Sequence, residues 1–325
     1  MGLRDGYMSS ISAQGSGARR TLLWTALRLI SESPRKVKPK GKGKSKPEEV
    51  IRPHVLLLDE PEICLHPSAI RDACTVLYDL PLSGNWQVMV TTHSPCFIDM
   101  SRDNTSIIRV GIDQAGEIFG TTVFRPKKAQ LSDDDKERLK LLNICDPYVA
   151  EFFFGGKNIV VEGDTEYTAF KYIIAQCPDE FKDVHVIRAR GKATIISVAK
   201  ILNHFGSMYA VLHDSDNPTT TRENKEIVNP AWSLNSLILD TINKSIAPVR
   251  LVASLPTFEG AYFKEFIKEE KPYNALLKIK DNPEFFQIIK SLLDALINHD
   301  KLLPSTSVEW KSIKELENAY RKFLG

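Results

Sequence analysis

Glu162, Glu166, Asp214 and Asp216 are the residues whose types and spacing could do chemistry. Ile159 to Val161 is a β-branched run that ends at Glu162, turns at Gly163 and restarts at Glu166 as a segment of helical period reaching Cys177. Glu162 is thereby expected at the carboxyl end of a strand and Glu166 in the first turn of the next helix. The apolar run Tyr209–Leu212 ends in the same way, in His213-Asp214-Ser215-Asp216, whose acids lie on one side of an extended chain. Acids at the carboxyl ends of two parallel strands offer an all-oxygen site for Mg²⁺, which fills the rest of its shell with water. Taken alone, Glu162 and Glu166 would also suit a first-turn charge pair, and Asp214 and Asp216 a turn before Asn217-Pro218.

The elements that must position these acids alternate. Asn158–Glu162 reads as a strand, Glu166–Cys177 as a helix, Val184–Ala189 as a strand, Thr194–Phe205 as a helix and Tyr209–Asp214 as a strand. A helix near Leu234–Ile246 and a strand Val249–Ala253 follow a polar stretch. This is the βαβ grammar of a parallel, Rossmann-like sheet, whose ligands sit at the carboxyl ends of the strands. Arg188, Arg190 and Lys192 fall at that end too, where they suit phosphate contact as well as surface charge. From Ala261 onward the pattern is helical, and the stripe Phe285, Ile288, Ile289, Leu292, Leu293 and Leu296 reads as core.

The first half carries a second set of polar residues. Ser16-Gly17 opens an apolar-periodic helix through Leu22, Leu23, Ala26, Leu27 and Ile30, a place for an anion on backbone N–H groups or for an ordinary helix cap. Arg35 to Lys46 is a low-complexity basic run with no apolar face, suited to lying along a phosphate backbone or to plain solvation. His54 to Leu58 is an apolar strand that ends in Asp59-Glu60, and Trp86 to Val90 a strand that ends in Thr91-Thr92-His93. The Asp suits Mg²⁺, the Glu a water aimed at a γ-phosphate, and His93 a phosphate oxygen. Asp113-Gln114-Ala115-Gly116 is flanked by strands and reads as a hairpin. Leu131 to Glu151 is a charged helical connector whose Asp133-Asp134-Asp135 suits a helix N-terminus better than a metal.

Composition bounds the answer without choosing it. The chain of 325 residues has room for two domains, and its apolar fraction of 42% supports a real core. No run reaches the roughly eighteen apolar residues of a membrane span, and no signal-peptide core opens the chain, so a cytoplasmic protein is expected. The five cysteines show neither disulfide-framework nor zinc spacing.

Leu56-Leu57-Leu58-Asp59-Glu60-Pro61-Glu62 with Leu65-His66-Pro67 and Thr91-Thr92-His93-Ser94-Pro95 resembles the Walker B strand, D-loop and H-loop of ABC-type ATPases, and Ser16-Gly17 resembles their signature motif. The resemblance implies that Asp59 holds Mg²⁺, Glu60 is the hydrolytic base and His93 senses the γ-phosphate, with Ser16 and Gly17 completing the ATP contacts. A Walker A loop is not found in the sequence; Gly41-Lys42-Gly43-Lys44-Ser45 lacks the spacing and the preceding strand. The chain therefore resembles the carboxyl-terminal part of a longer protein, and ATP hydrolysis by this part alone is not expected. ABC-type lobes pair across signature and Walker A, which implies a homo-oligomer by analogy.

Val161-Glu162-Gly163 with Glu166, then Arg190-Gly191-Lys192, then Asp214 and Asp216, resembles the Toprim domain of topoisomerases, primases and certain nucleases. An ABC-type ATPase followed by Toprim is the arrangement of the overcoming-lysogenization-defect (OLD) family, which includes the nuclease subunit of the Gabija anti-phage system. The expected fold is α/β: a partial ATPase lobe over residues 1–128, a helical connector over 129–154, and a Rossmann-like Toprim domain with a helical extension over 155–325. The resemblance implies metal-dependent DNA cleavage using two Mg²⁺ or Mn²⁺ ions roughly 4 Å apart, gated by ATP in the full-length protein, in anti-phage defence and with a helicase-like partner. Glu162, Asp214 and Asp216 would hold one ion and Glu166 the second or a bridge. Glu259 is the candidate for the further acid, and Lys271, chosen over Lys264 and Lys278, for the lysine that offsets charge on the reacting phosphate. Two rivals remain open: a nucleotide-gated DNA sensor with an inert Toprim domain, and an ATPase with a regulatory tail.

Overall fold

A continuous apolar strand has to be covered on both faces, and this requirement organises both parts of the chain. The structure, a computed structural model, describes residues 10–32, 54–112, 115–222, 225–263 and 269–324. The basic run 35–46, the hairpin-turn residues Asp113 and Gln114, and Lys264 lie outside them. The chain forms two compact units that part between Ile98 and Asp99.

The first unit holds α1 (Ser16–Glu32), β1 (His54–Asp59), α2 (Pro67–Asp79) and β2 (Trp86–Thr91). β1 and β2 run parallel, with Asp59 opposite Thr91. Alternation sorts their side chains: Leu56, Leu58, Val88 and Val90 pack with Trp24, Leu27, Ala73, Val76 and Leu77. On the other face Val55, Leu57 and Met89 are 59%, 68% and 63% exposed.

In the second unit β3 (Ile107–Ile112) and β4 (Ile118–Phe124) form the expected antiparallel hairpin. An ATPase lobe over residues 1–128 would include this hairpin, yet it packs within the second unit. Phe124 contacts Phe153 and Phe205, and the Val123 carbonyl lies 3.1 Å from His204 Nε2. The connector is α3 (Asp133–Cys145), followed by a 3₁₀ segment, Val149–Phe154.

Asp135 shows why α3 begins where it does. Ser132 and Asp135 form a reciprocal capping box. The same carboxylate is buried and accepts from Ser197 Oγ at 2.7 Å and from the Lys200 ammonium. Burial alone would raise its pKa, but the bonds from Lys200, Ser197 and Ser132 outweigh it and lower the carboxyl to about 2. A depressed carboxyl contributes stability that is present above its ordinary pKa of 3.8 and is lost as pH falls toward 2. Asp135→Ala should lower the unfolding free energy in urea at neutral pH by about 3 kcal/mol, because it strands Lys200 and uncaps the helix. A loss under about 0.5 kcal/mol, the range of an ordinary surface change, would show that the pair is incidental.

Then come β5 (Lys157–Val161), α4 (Asp164–Gln176), α5 (Pro178–Phe181), β6 (Val184–Arg188), α6 (Lys192–His204) and β7 (Tyr209–Asp214). β8 (Thr219–Arg222), β9 (Lys225–Val228), α7 (Pro230–Ile242), β10 (Val249–Ser254) and α8 (Phe258–Phe263) follow. The chain closes with α9 (Lys271–Asp281), α10 (Pro283–Ile297), β11 (Ser307–Glu309) and α11 (Ile313–Leu324). The sheet order is β11-β10-β7-β5-β6, parallel throughout except for the antiparallel edge strand β11. Ile159, Val160, Val161, Val211 and Leu212 are wholly buried, as the apolar runs require. Ile289, Leu292, Leu293 and Leu296 of α10 join the core on one face of the sheet, the packing role their spacing implied. The β8–β9 hairpin is fully exposed and has no apolar alternation, so the sequence read it only as a polar stretch.

Candidate active site at the carboxyl end of the sheet

β5 and β7 lie side by side, so their carboxyl ends deliver Glu162 and Asp214 to one place. The ladder runs one residue past β5, where the Glu162 N–H donates to the Leu212 carbonyl at 3.2 Å and the Gly191 N–H donates to the Glu162 carbonyl at 2.9 Å. Glu162 Oε2 accepts from the Asp214 N–H at 3.1 Å, and Asp214 Oδ1 accepts from the Phe258 N–H at 2.7 Å. Glu166 sits in the first turn of α4, over Gly163. A Cβ on Gly163 would stand 3.0 Å from Glu166 Oε2, so the glycine leaves the space that the carboxylate fills. Glu259, in α8, is buried and accepts from Thr165 Oγ1 at 3.1 Å, while Lys271 Nζ lies 3.5 Å from the same oxygen. All the acids expected from the sequence thus gather, with Lys271 at their edge.

Asp216 occupies a left-handed turn, φ 60°, braced from four directions. Its N–H donates to the Pro256 carbonyl at 3.0 Å; Asn235 Nδ2 donates to the Ser215 carbonyl at 3.0 Å. Asn229 Nδ2 reaches the Asn217 carbonyl, and the Tyr320 hydroxyl donates to Asn217 Oδ1 at 2.7 Å. His213, beneath the loop, is wholly buried between Asp214 and Trp310. A carbonyl only accepts and an indole N–H only donates, so Nδ1–H donates to the Asp214 carbonyl (2.7 Å) and Nε2 accepts from Trp310 Nε1 (3.3 Å). Burial first, then the nearby Lys192 charge, pushes this imidazole down to about 3, so it is neutral.

The basic residues divide. Arg188 donates to Asp164 Oδ1 at 3.2 Å and lies 4.9 Å over the Tyr167 ring, with a buried Nε that has no hydrogen-bond partner. Arg190 is exposed. Lys192 departs from the sequence reading: it is neither surface charge nor open to phosphate but buried, its ammonium on Asp216.

Packing acids together out of water disfavours their charged forms. Burial, then the Glu162 and Glu259 charges, pushes Glu166 up to about 8 against the hydrogen bonds it receives. Burial followed by Glu166, Glu162, Glu259 and Asp216 raises Asp214 well above the usual carboxylate range. Burial raises Glu162 as well, opposed by Lys192. The acids are neighbours and not a preformed cage: among the described residues no three His, Cys, Asp or Glu side chains are grouped as a metal site. They are held by protein instead, Asp216 by Lys192, Asp214 by the Phe258 N–H, Glu259 by Thr165, Glu162 by the Asp214 N–H and Glu166 by backbone N–H groups of its own turn.

In the first unit, Asp59 Oδ1 accepts from the Thr91 hydroxyl, and His93 Nε2 lies 3.3 Å from Glu60 Oε1. Glu62 ties down the following turn through Thr92 Oγ1 at 2.6 Å and the His93 N–H at 3.0 Å. Gly17 passes so near Cys64 that a Cβ would meet its carbonyl at 3.2 Å, and Arg20 donates to the carbonyls of Glu60 and Pro61. The start of α1 carrying Ser16 and Gly17 therefore packs on the segment that follows the acidic strand end.

Residues 153–216, which contain β5, β6 and β7 and four of these acids, match the family model described as overcoming lysogenization defect protein-like, TOPRIM domain. The chain carries an OLD-like Toprim domain. Residues 4–98 match an AAA ATPase domain, a match that ends where the first compact unit ends. The Old nuclease of Escherichia phage P2 is 24% identical over 290 residues, which cover 85% of this chain and 47% of that protein. The OLD nuclease of Thermus scotoductus is 27% identical over 164 residues, 50% of this chain and 30% of that one. The chain thus spans about half the length, or less, of the curated relatives it matches. The expected α/β fold, an ATPase-like part followed by a Toprim domain, is the one observed.

Three contributors to the Toprim site escaped the sequence reading as such: Thr165, the His213–Trp310 pair and Asn235. Thr165 stands between two acids in a first turn, which is a usable signal. Trp310 and Asn235 reach the site only through tertiary packing.

Proposed function

We propose that this chain is the nuclease part of an OLD-type protein and hydrolyses DNA phosphodiester bonds with the help of divalent metal. The observation that carries this reading is the gathering of Glu162, Glu166, Asp214, Asp216 and Glu259 at one sheet end, where burial first, and then the charge of neighbouring acids, drives the carboxyls of Glu162, Glu166 and Asp214 upward. A carboxylate-only donor set fits Mg²⁺ or Mn²⁺ better than softer metals. Glu162, Asp214 and Asp216 would hold one ion, and Glu166 with Glu259 a second. Bound there, the ions supply a lowered pKa for the attacking water and neutralisation of charge on the phosphate and leaving oxygen.

The remaining roles belong to the chain itself. Lys271, held beside Glu259, offsets negative charge on the reacting phosphate. Arg188, 4.9 Å over the Tyr167 ring, and the exposed Arg190 approach the flanking phosphates and fix register without reading sequence. In the ATPase part Ser16, Gly17, Asp59, Glu60 and His93 are the ATP-facing set. Among the described residues the face of Val55, Leu57 and Met89 is exposed. Homo-oligomerisation, control by ATP, a helicase-like partner, anti-phage defence and a cytoplasmic location complete the proposal; no described helix is long and apolar enough to cross a membrane.

A second reading, a DNA-binding sensor with an inert Toprim domain, draws on the engagement of Asp216 by Lys192. One assay separates the two. Incubated with supercoiled plasmid, the chain is expected to nick or linearise it in Mg²⁺ or Mn²⁺ and to leave it intact in chelator. Plasmid shifted on a gel but uncut in either metal would favour the sensor.

A further inference from the structure

The described residues bring two lysines to the five acids, and the two are unlike. Lys271 has a side chain 49% exposed and reaches Glu259. The Lys192 side chain is 2% exposed; its ammonium contacts Asp216 Oδ2 and donates to the Ala231 carbonyl at 3.3 Å. Gly191, at φ 122°, turns the chain from the end of β6 into α6 so that Lys192 is the first helical residue and its side chain runs under the acid loop toward α7. Among the described residues the other fully buried cation is Arg250, which is committed to Glu309 and to the carbonyls of Ala295 and Lys301. Burying a charge is unfavourable unless it is paired. An acid cluster that must fold before any ion arrives therefore needs a cation from the chain, and Lys192 is placed to be that cation.

We propose that Lys192 is a resident counter-ion: it neutralises Asp216 and holds the acid loop in register while no divalent ion is bound, and it competes with an incoming ion for that carboxylate. The proposal rests on the reading of these acids as ion ligands and adds a priming step to it. A lysine that served only to contact DNA would be reachable from solvent. One that was only structural would not exchange with an ion.

The test uses the full chain and Mn²⁺ alone as probe, with thermal melting and calorimetric titration as readouts, so no cleavage is needed. In chelator Lys192→Met should melt roughly 10 °C below the unmodified chain. Mn²⁺ should restore most of that loss and should bind the variant about tenfold more tightly. Lys192→Arg, which keeps the charge, should stay near the unmodified chain in both readouts. Lys192→Met/Asp216→Asn, which has lost both charges, should recover much of the melting temperature without any ion. If Lys192→Met cannot be purified, the double variant decides: melting near the unmodified chain supports the pairing, and failure to fold overturns it. A Mn²⁺-induced shift and affinity equal in Lys192→Met and the unmodified chain also overturn the proposal, while the reading of the acids as ligands survives. An unmodified chain that binds no Mn²⁺ removes that reading itself.

Discussion

Asp214→Asn is expected to move activity and stability in opposite directions. Cleavage of plasmid in Mg²⁺ or Mn²⁺ should fall roughly a thousandfold, the loss of several kcal/mol of charge stabilisation at the reacting phosphate. The melting temperature in chelator should nonetheless rise by about 2–4 °C, because the neutral amide spares the fold the cost of burying or protonating a carboxyl among other acids. The amide oxygen can still accept from the Phe258 N–H at 2.7 Å, so the anchor to α8 survives. Asp214→Ala loses that anchor as well and should be inactive without the gain. An Asn variant that still cuts, checked by gel against the unmodified chain, would remove Asp214 from the chemistry; one that is inactive and melts lower would show that the carboxylate is mainly structural.

The second large effect is a dependence of stability on pH that metal should largely remove. Glu166 is raised from 4.5 to about 8 on folding, and Asp214 and Glu162 shift the same way. A carboxyl held protonated in the fold contributes stability that is complete below its ordinary pKa and lost as pH rises through the folded value. Without metal, the protein should therefore lose stability as pH rises from about 4.5 to about 8, and most clearly above about 6.5. His213 acts in the opposite sense, since its neutral buried form is favoured as pH rises, but that contribution is complete near its ordinary 6.5. Metal ligation requires deprotonated carboxylates, so the gap between melts in Mn²⁺ and in chelator should widen across the same interval. Melting curves flat in both conditions would mean that these acids are not closely coupled in solution.

The site was legible in the sequence to the extent that it is made of local patterns. Each acid of β5 and β7 follows an apolar strand, and strand ends are marked by a change from apolar to acidic residues within a few positions. The parallel pairing that joins the two ends followed from the alternation of strands and helices. What could not be read depends on contacts between distant residues. Lys192 looks like any lysine after a glycine until α7 covers it. The edge strand β11 is three residues long and gives no periodic signal, yet it sets Trp310 beside His213. The hairpin β3–β4 reads identically whichever unit it joins, and only the aromatic contacts of Phe124 assign it. Asp133-Asp134-Asp135 reads as a helix start, which it is, but the burial of Asp135 against α6 belongs to tertiary packing.

The braces on the acid loop also set an order of events during synthesis. Trp310 lies 97 residues beyond His213 and Tyr320 lies 103 beyond Asn217. At a translation rate of about 5–20 residues per second, the loop bearing Asp214 and Asp216 leaves the ribosome on the order of 5–20 seconds before the residues that fix it. Until then the nascent chain carries the acids without their arrangement. The arranged centre therefore arrives late, after β5, β6 and β7 have had time to form.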